Sequence, residues 1–262
     1  MRFYTLLLST LMIGGSFASA AEKVTVPEGW KLHWQEEFNG PLNEKVWSRV
    51  TKGTADWSNM MTDHPKAVRV QSGVLRLWGV KNTKKGEQPY LTGGLSSNGK
   101  FDFEYGKVQI RARFKSAKGA WPALWMLKSN AKWGKEGMGE IDIMEHLNFE
   151  DQVYQTVHSY YTVHKGGSNK PPKSGTAKIS RDDWNTYGVE WDKEKIVFTV
   201  NGKPTHSYAK QADKGAEQYP FHGPFYFILS MQIEGKWVGE ADPKDYPAWM
   251  DVDWVRVYKK AE

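Results

Sequence analysis

Apolar and polar residues alternate through KVQIRARF (107–114) and KIVFTVNGK (195–203), and the second run ends in an Asn-Gly pair of the kind that closes tight hairpins. Both predict half-buried β-strands. Similar runs are AVRVQSGVLRLWGV, ALWML, YQTVHSYYTV, TYGVEW, FYFILSMQI and MDVDWVRVYK, separated at short intervals by Gly, Pro, Asn and Asp. No long 3.6-residue periodicity interrupts them. This spacing predicts an all-β sandwich of many short strands rather than alternating strands and helices. No internal repeat or linker divides the chain, so a single domain is expected over 21–262. The segment HKGGSNKPPKSGTAK (164–178) has linker composition but strands on both sides, which predicts a long surface loop at the rim of a site.

One strand breaks the pattern. GEIDIMEHLN (139–148) carries Glu140, Asp142 and Glu145 in an otherwise apolar stretch. Side chains at i and i+2 share a face, so Glu140 and Asp142 point together while Ile141 and Ile143 point to the core. Glu145 has the opposite parity and would enter the core unless one extra residue intervenes. A β-bulge at Ile143–Met144 would restore it to the face of the other two. Crowded acids repel and raise each other's pKa, a cost usually tied to a use. Glu140 and Glu145 would lie roughly 13 Å apart at Cα, at about 3.3 Å per residue. Leaning side chains could approach the ~5–5.5 Å carboxyl separation of retaining glycosidases, with one carboxyl ionised and one protonated. Asp142 between them would help hold the two pKa values apart. Two other readings stay open here: a solvated polar face on an edge strand, and a metal site using Glu140, Asp142 and His146, which share a face if no bulge forms.

Composition narrows the partners. Thirteen Trp, twelve Tyr and eleven Phe supply flat faces suited to sugars as well as to a β core. The net charge of +6 comes from lysines scattered in loops, without the continuous basic stripe that nucleic-acid binding requires; anionic glycans remain compatible. There is no cysteine, which excludes disulfides and thiol nucleophiles. No Gly-x-Ser-x-Gly elbow and no phosphate loop is present. The first twenty residues, MRFYTLLLSTLMIGGSFASA, have the layout of a cleavable signal, with cleavage expected near Ala20 and a secreted or periplasmic product. The apolar run is too short to span a bilayer.

The order WQEEFNG, YGKVQIRARF, GAWPALWML, Glu140-Ile141-Asp142-Ile143-Met144-Glu145, GVEW, VNGK and DVDWVRVY resembles glycoside hydrolase family 16, in its β-bulge branch. The resemblance implies a β-jelly roll of two curved antiparallel sheets with a concave substrate cleft. It implies Glu140 as nucleophile, Asp142 as its assisting carboxylate, and Glu145 as general acid and then base, with no catalytic cofactor. Trp121 and Trp125 resemble the family's cleft-floor tryptophans, and core packing is the alternative for each. His158 matches a histidine found close to the acid/base. Glu37 and Asp253 resemble the ends of a structural calcium site on the convex face. The run LSMQIEGKWVG (229–239) departs from the β-1,3-glucanase pattern at Ser230, Gln232 and Glu234. Together with TADWSNMMTDHP (54–65), it is similar to secreted members that cut host mucin-type glycans at β-galactosides, and Gln232 and Trp237 are expected at the substrate. The expected protein is a monomeric, retaining endo-β-galactosidase; an endo-β-1,3- or mixed-linkage glucanase and a non-catalytic carbohydrate-binding jelly roll are the alternatives.

Overall fold

The computed structural model describes residues 24–167 and 169–262; the expected signal segment, 1–20, lies outside them. In chain order the first strands are β1 (Trp30–Glu36), β2 (Ser48–Arg49), β3 (Val68–Gln71), β4 (Val74–Lys81), β5 (Tyr90–Thr92), β6 (Gly94–Ser96), β7 (Gly106–Lys115) and β8 (Ala120–Lys128). They are followed by β9 (Gly139–Glu145), β10 (Gln152–Ser159), β11 (Ser174–Lys178), β12 (Asn185–Trp191), β13 (Lys195–Val200), β14 (Lys203–Ala209), β15 (Phe225–Ile233) and β16 (Ala248–Lys260). An outer antiparallel sheet runs β14-β13-β12-β7-β16-β4-β3, with β1 beside β16 and β5 beside β4. The second sheet, which carries the cleft, runs β11-β10-β9-β8-β15-β6-β2. This is the expected jelly-roll sandwich.

Alternation along β7 decides which side faces the core. Val108, Ile110, Ala112 and Phe114 are buried inward, while Lys107, Gln109, Arg111 and Arg113 point outward. They meet Ile141, Ile143, Met144, Leu124, Met126, Phe227 and Leu229 of the cleft sheet in one continuous cluster. Each such side chain contributes about 1.5–3 kcal/mol through apolar burial. The central strands of the cleft sheet, β9 and β15, are buried on both faces.

The exposed side of the outer sheet is stitched by charge. Asp251 on β16 lies between β4 and β7, opposite Arg76 on one and Arg113 on the other. It accepts a bidentate pair from Arg76 at 2.6 and 2.8 Å, and Nε of Arg113 donates to it at 3.2 Å. The guanidinium groups stack on Trp249 and Trp184 at 4.3 and 4.6 Å. Glu37 and Asp253, the two residues expected at a calcium site, both face arginines. Glu37 accepts both of its hydrogen bonds from Arg256, at 2.8 and 3.0 Å, and Asp253 pairs with Arg111.

Two local features depart from the sequence pattern. YYTV does not extend β10 but turns into a short helix, α1 (Tyr160–His164). The side chain of Ser159 accepts from Thr162 N, and the Thr162 hydroxyl accepts from Ser159 N, a reciprocal cap that outcompetes the strand. Ser159→Ala should therefore cost about 1 kcal/mol and lower Tm by roughly 2–4 °C in a thermal melt. An unchanged Tm would show that the cap contributes nothing. Part of the expected loop 164–178 is β11, which pairs along β10 from Gln152↔Lys178 to Thr156↔Ser174 and forms the edge of the cleft sheet.

Candidate active site

The bulge is where parity requires it. Along one edge of β9, Trp125 pairs with Asp142 and Leu124 with Met144; along the other, Thr156 pairs with Asp142 and Tyr154 with Glu145. Ile143 and Met144 together fill the place of one residue, and both are fully buried in the core. Glu140, Asp142 and Glu145 consequently share the face of a cleft of about 790 Å³. A buried glutamine fixes the extra residue: Gln155 Nε2 donates to the Ile143 carbonyl at 3.0 Å and to Thr199 O of the outer sheet at 3.3 Å. Sequence reasoning passed over Gln155. Its signal was a polar residue on the inward parity of β10, between Val153 and Val157.

The bulge also disposes of the His146 reading. His146 is fully buried against Phe114, ring centroids 4.3 Å apart, and its Nε2 bonds the Glu150 carbonyl at 2.7 Å. Burial lowers its pKa to about 4, so it is a neutral core residue. The histidine that faces the carboxylates is His158, opposite Glu140 in the β9–β10 register. Its Nε2 lies 3.3 Å from Asp142 Oδ2 and 3.6 Å from Glu140 Oε1. Register thus places it beside Glu140 and Asp142, in the cleft that also holds Glu145. Ligand atoms of Glu140, Asp142 and His158 all lie within 4.8 Å of one another, close enough to surround a cation.

Burial raises the pKa of Glu140 well above the usual carboxylate range, and repulsion from Asp142 and Glu145 adds to it. Glu145 is raised well above that range too, again chiefly by burial and then by Asp142. Trp121 opposes this, since its indole N–H donates to Glu145 Oε1 at 3.0 Å. That bond occupies one oxygen and leaves the other to carry a proton toward the cleft. Lys173 pulls both glutamates in the opposite direction to burial.

Cross-strand rows build the floor on either side of β9. One runs Thr156–Asp142–Trp125–Ile228 across β10, β9, β8 and β15; the next runs Tyr154–Glu145–Ala123–Ser230. Trp125 groups with Ala123 and Ile228 in a cluster separate from the main core, and its Nε1 donates to Ser230 Oγ at 3.1 Å. It is therefore floor, although nearly buried. Trp57 stands edge-on to it at 4.8 Å and 83°. Trp237, 46% exposed, sits edge-on to both Trp121 and Tyr154 at 5.5 and 5.0 Å. Trp57, Trp133, Tyr154 and Lys173 line the cleft without having been singled out in the sequence, because they come from separate segments of the chain.

The two unusual segments, 54–65 and 229–239, meet at one end of the cleft. Gln232 Nε2 donates to Asn59 Oδ1 at 2.8 Å, and Lys236 N donates to Asp56 Oδ2 at 2.7 Å. Gly235 permits that approach, as a Cβ there would lie 3.0 Å from Asp56 Oδ2. Gln232 therefore lines the cleft while its amide nitrogen holds the wall that carries Trp57. Among the described residues no helix is long and apolar enough to cross a membrane.

Known proteins share this arrangement of sheets and sequence. A keratan-sulfate endo-1,4-beta-galactosidase of Sphingobacterium multivorum is 37% identical over 88% of this chain, which spans 55% of that enzyme's length. A beta-glucanase of Rhodothermus marinus is 31% identical over 98% of this chain and 95% of its own. The X-ray structure of the laminarinase from Rhodothermus marinus superposes with a TM-score of 0.80 at 30% identity, covering 89% of this chain and 98% of that one. The pattern of the glycosyl hydrolases family 16 matches residues 55–256. With the bulged three-acid strand on a jelly-roll cleft, the chain belongs to glycoside hydrolase family 16.

Proposed function

We propose that this glycoside hydrolase is a secreted, monomeric, retaining endo-β-glycosidase that cleaves internal β-galactoside linkages in mucin-type O-glycans or poly-N-acetyllactosamine. The observation that carries the reaction is the pair of raised glutamates brought onto one face by the bulge. Glu145 gives its proton to the glycosidic oxygen as the C1–O bond breaks, while the Glu140 carboxylate bonds to C1 from the opposite face. Water then attacks C1, its proton passes to the Glu145 carboxylate, and Glu140 is released. Asp142 and His158 border Glu140 and orient it. Floor on both sides of β9 suits a glycan that continues past the cut in both directions.

Two observations support a galactoside. The relative at 37% identity is named for endo-1,4-β-galactosidase action on keratan sulfate. The wall latched by Gln232 and Asp56 also sets Trp57 across from Trp125, with Trp121 nearby. The axial O4 of galactose leaves carbons C3 to C5 as one apolar face, which indole rings bind well. The glucanase reading draws on the beta-glucanase that this chain matches over nearly its whole length. Incubation with laminarin, mixed-linkage glucan, desulfated keratan and mucin O-glycans, with products sized by mass spectrometry, separates the two. Galactose-terminated oligosaccharides are expected from the last two substrates; glucose oligomers from the first two alone would replace galactoside with glucan.

A further inference from the structure

The cleft is chemically lopsided about β9. Toward β8 and β15 it is lined by Trp57, Trp121 and Trp125; toward β10 and β11 it is lined by Thr156, His158, Ser174 and Lys173, with Trp133 above. Register fixes the position of Lys173. Its carbonyl accepts from Val157 N at 2.9 Å, and the next residue, Ser174, pairs with Thr156, which pairs with Asp142. The lysine is thus held at the edge of the row that contains the acids.

Among the described residues Lys173 forms no ion pair within 4.0 Å, although three carboxylates share its cleft. An ammonium whose whole role was to neutralise them would gain a charge-assisted hydrogen bond by closing onto one. Lys173 stands off instead. Trp133, 57% exposed and edge-on to His158 at 5.8 Å, offers a flat surface for a sugar ring at the same end. We propose that Lys173 is a specificity residue that recognises an anionic substituent, a sulfate ester or a sialic acid carboxylate, on the sugar bound over β10 and β11. This rests on the galactosidase reading above and names the decoration that reading leaves open.

The test compares kcat/KM for sulfated keratan, its desulfated counterpart, and sialylated and desialylated O-glycans, in the wild type and in Lys173→Ala and Lys173→Arg. The expected result is that Lys173→Ala lowers the anionic-to-neutral ratio by about tenfold, mainly through KM, as loss of one charge-assisted contact would. Lys173→Arg should recover most of it. The pair whose ratio moves, sulfated or sialylated, identifies the anion. An equal loss on charged and neutral substrates, accompanied by a shifted pH profile, would make Lys173 a counter-charge for Glu140 and Glu145 and overturn the proposal. So would ratios that do not change. If the wild type cleaves none of the four chains, charged or neutral, the galactosidase reading fails, and this assignment with it.

Discussion

Glu145→Gln lowers turnover of an unactivated glycan by about 10³- to 10⁴-fold, yet the variant still consumes one equivalent of an oligosaccharide with a dinitrophenyl leaving group. The asymmetry follows from the roles. A phenolate with a low pKa departs without a proton, so attack by Glu140 proceeds, but no base remains to activate water. A glycosyl-enzyme should accumulate, and mass spectrometry should find the added mass on the peptide that contains residues 139–148. Azide, which needs no deprotonation, should restore turnover of the activated substrate. Glu140→Gln has no such escape and should lose both substrates by at least ~10⁴-fold. If Glu140→Gln kept the burst and Glu145→Gln lost it, the two roles would be exchanged. If both variants retained full activity, the strand would not be catalytic.

Much of this site can be read in residues 139–148. Parity alone demanded a bulge, and register shifts on both edges of β9 place it at Ile143–Met144. Alternation in KVQIRARF likewise predicted which side of β7 meets the core. What stayed hidden was long-range. Nothing local in TADWSNMMTDHP reveals that Asn59 and Asp56 are hydrogen-bonded to residues more than 170 positions away. Lys173 looked like one loop lysine among many until the pairing of β11 placed it in the cleft. His146 was a candidate metal ligand only if β9 carried no bulge, and the bulge sends it into the core, while the β9–β10 register sets His158 opposite Glu140. The arginine partners of Glu37 and Asp253, Arg256 and Arg111, were hidden for a related reason: they become neighbours only once β16 lies between β1 and β7.

The same glutamates should make the enzyme less stable than it could be, so Glu140→Gln and Glu145→Gln are expected to melt above the wild type at pH 7 to 8. In the unfolded chain each carboxyl titrates near its ordinary pKa of about 4.3. In the fold, burial first and neighbouring acids second hold both pKa values well above that. Below the ordinary pKa both groups are protonated in either state, and the fold bears no charge penalty. As pH rises through the raised folded pKa, the wild type must bury charge, and that stability is lost. Glutamine does not titrate. Its advantage should therefore be absent near pH 4, grow as pH increases, and level off once the folded groups have ionised. Each unit of pKa displacement corresponds to about 1.4 kcal/mol, and each kcal/mol to roughly 2–4 °C in a domain of this size. Melting curves from pH 4 to 9 would measure the trend directly. Asp251 supplies the contrast, because it is fully buried but receives hydrogen bonds from Arg76 and Arg113. Asp251→Asn should destabilise, since it breaks a paired buried charge. The two cleft glutamates have no arginine of this kind: Glu145 accepts the Trp121 indole N–H, His158 lies 3.6 Å from Glu140, and among the described residues Lys173 forms no ion pair. Crowding of this kind keeps a proton available on one glutamate while the other can ionise, which is the state that double displacement requires. A wild type more stable than both Gln variants at pH 8 would show instead that the carboxylates are held in a favourable network, and would remove the physical basis for assigning them an acid and a nucleophile.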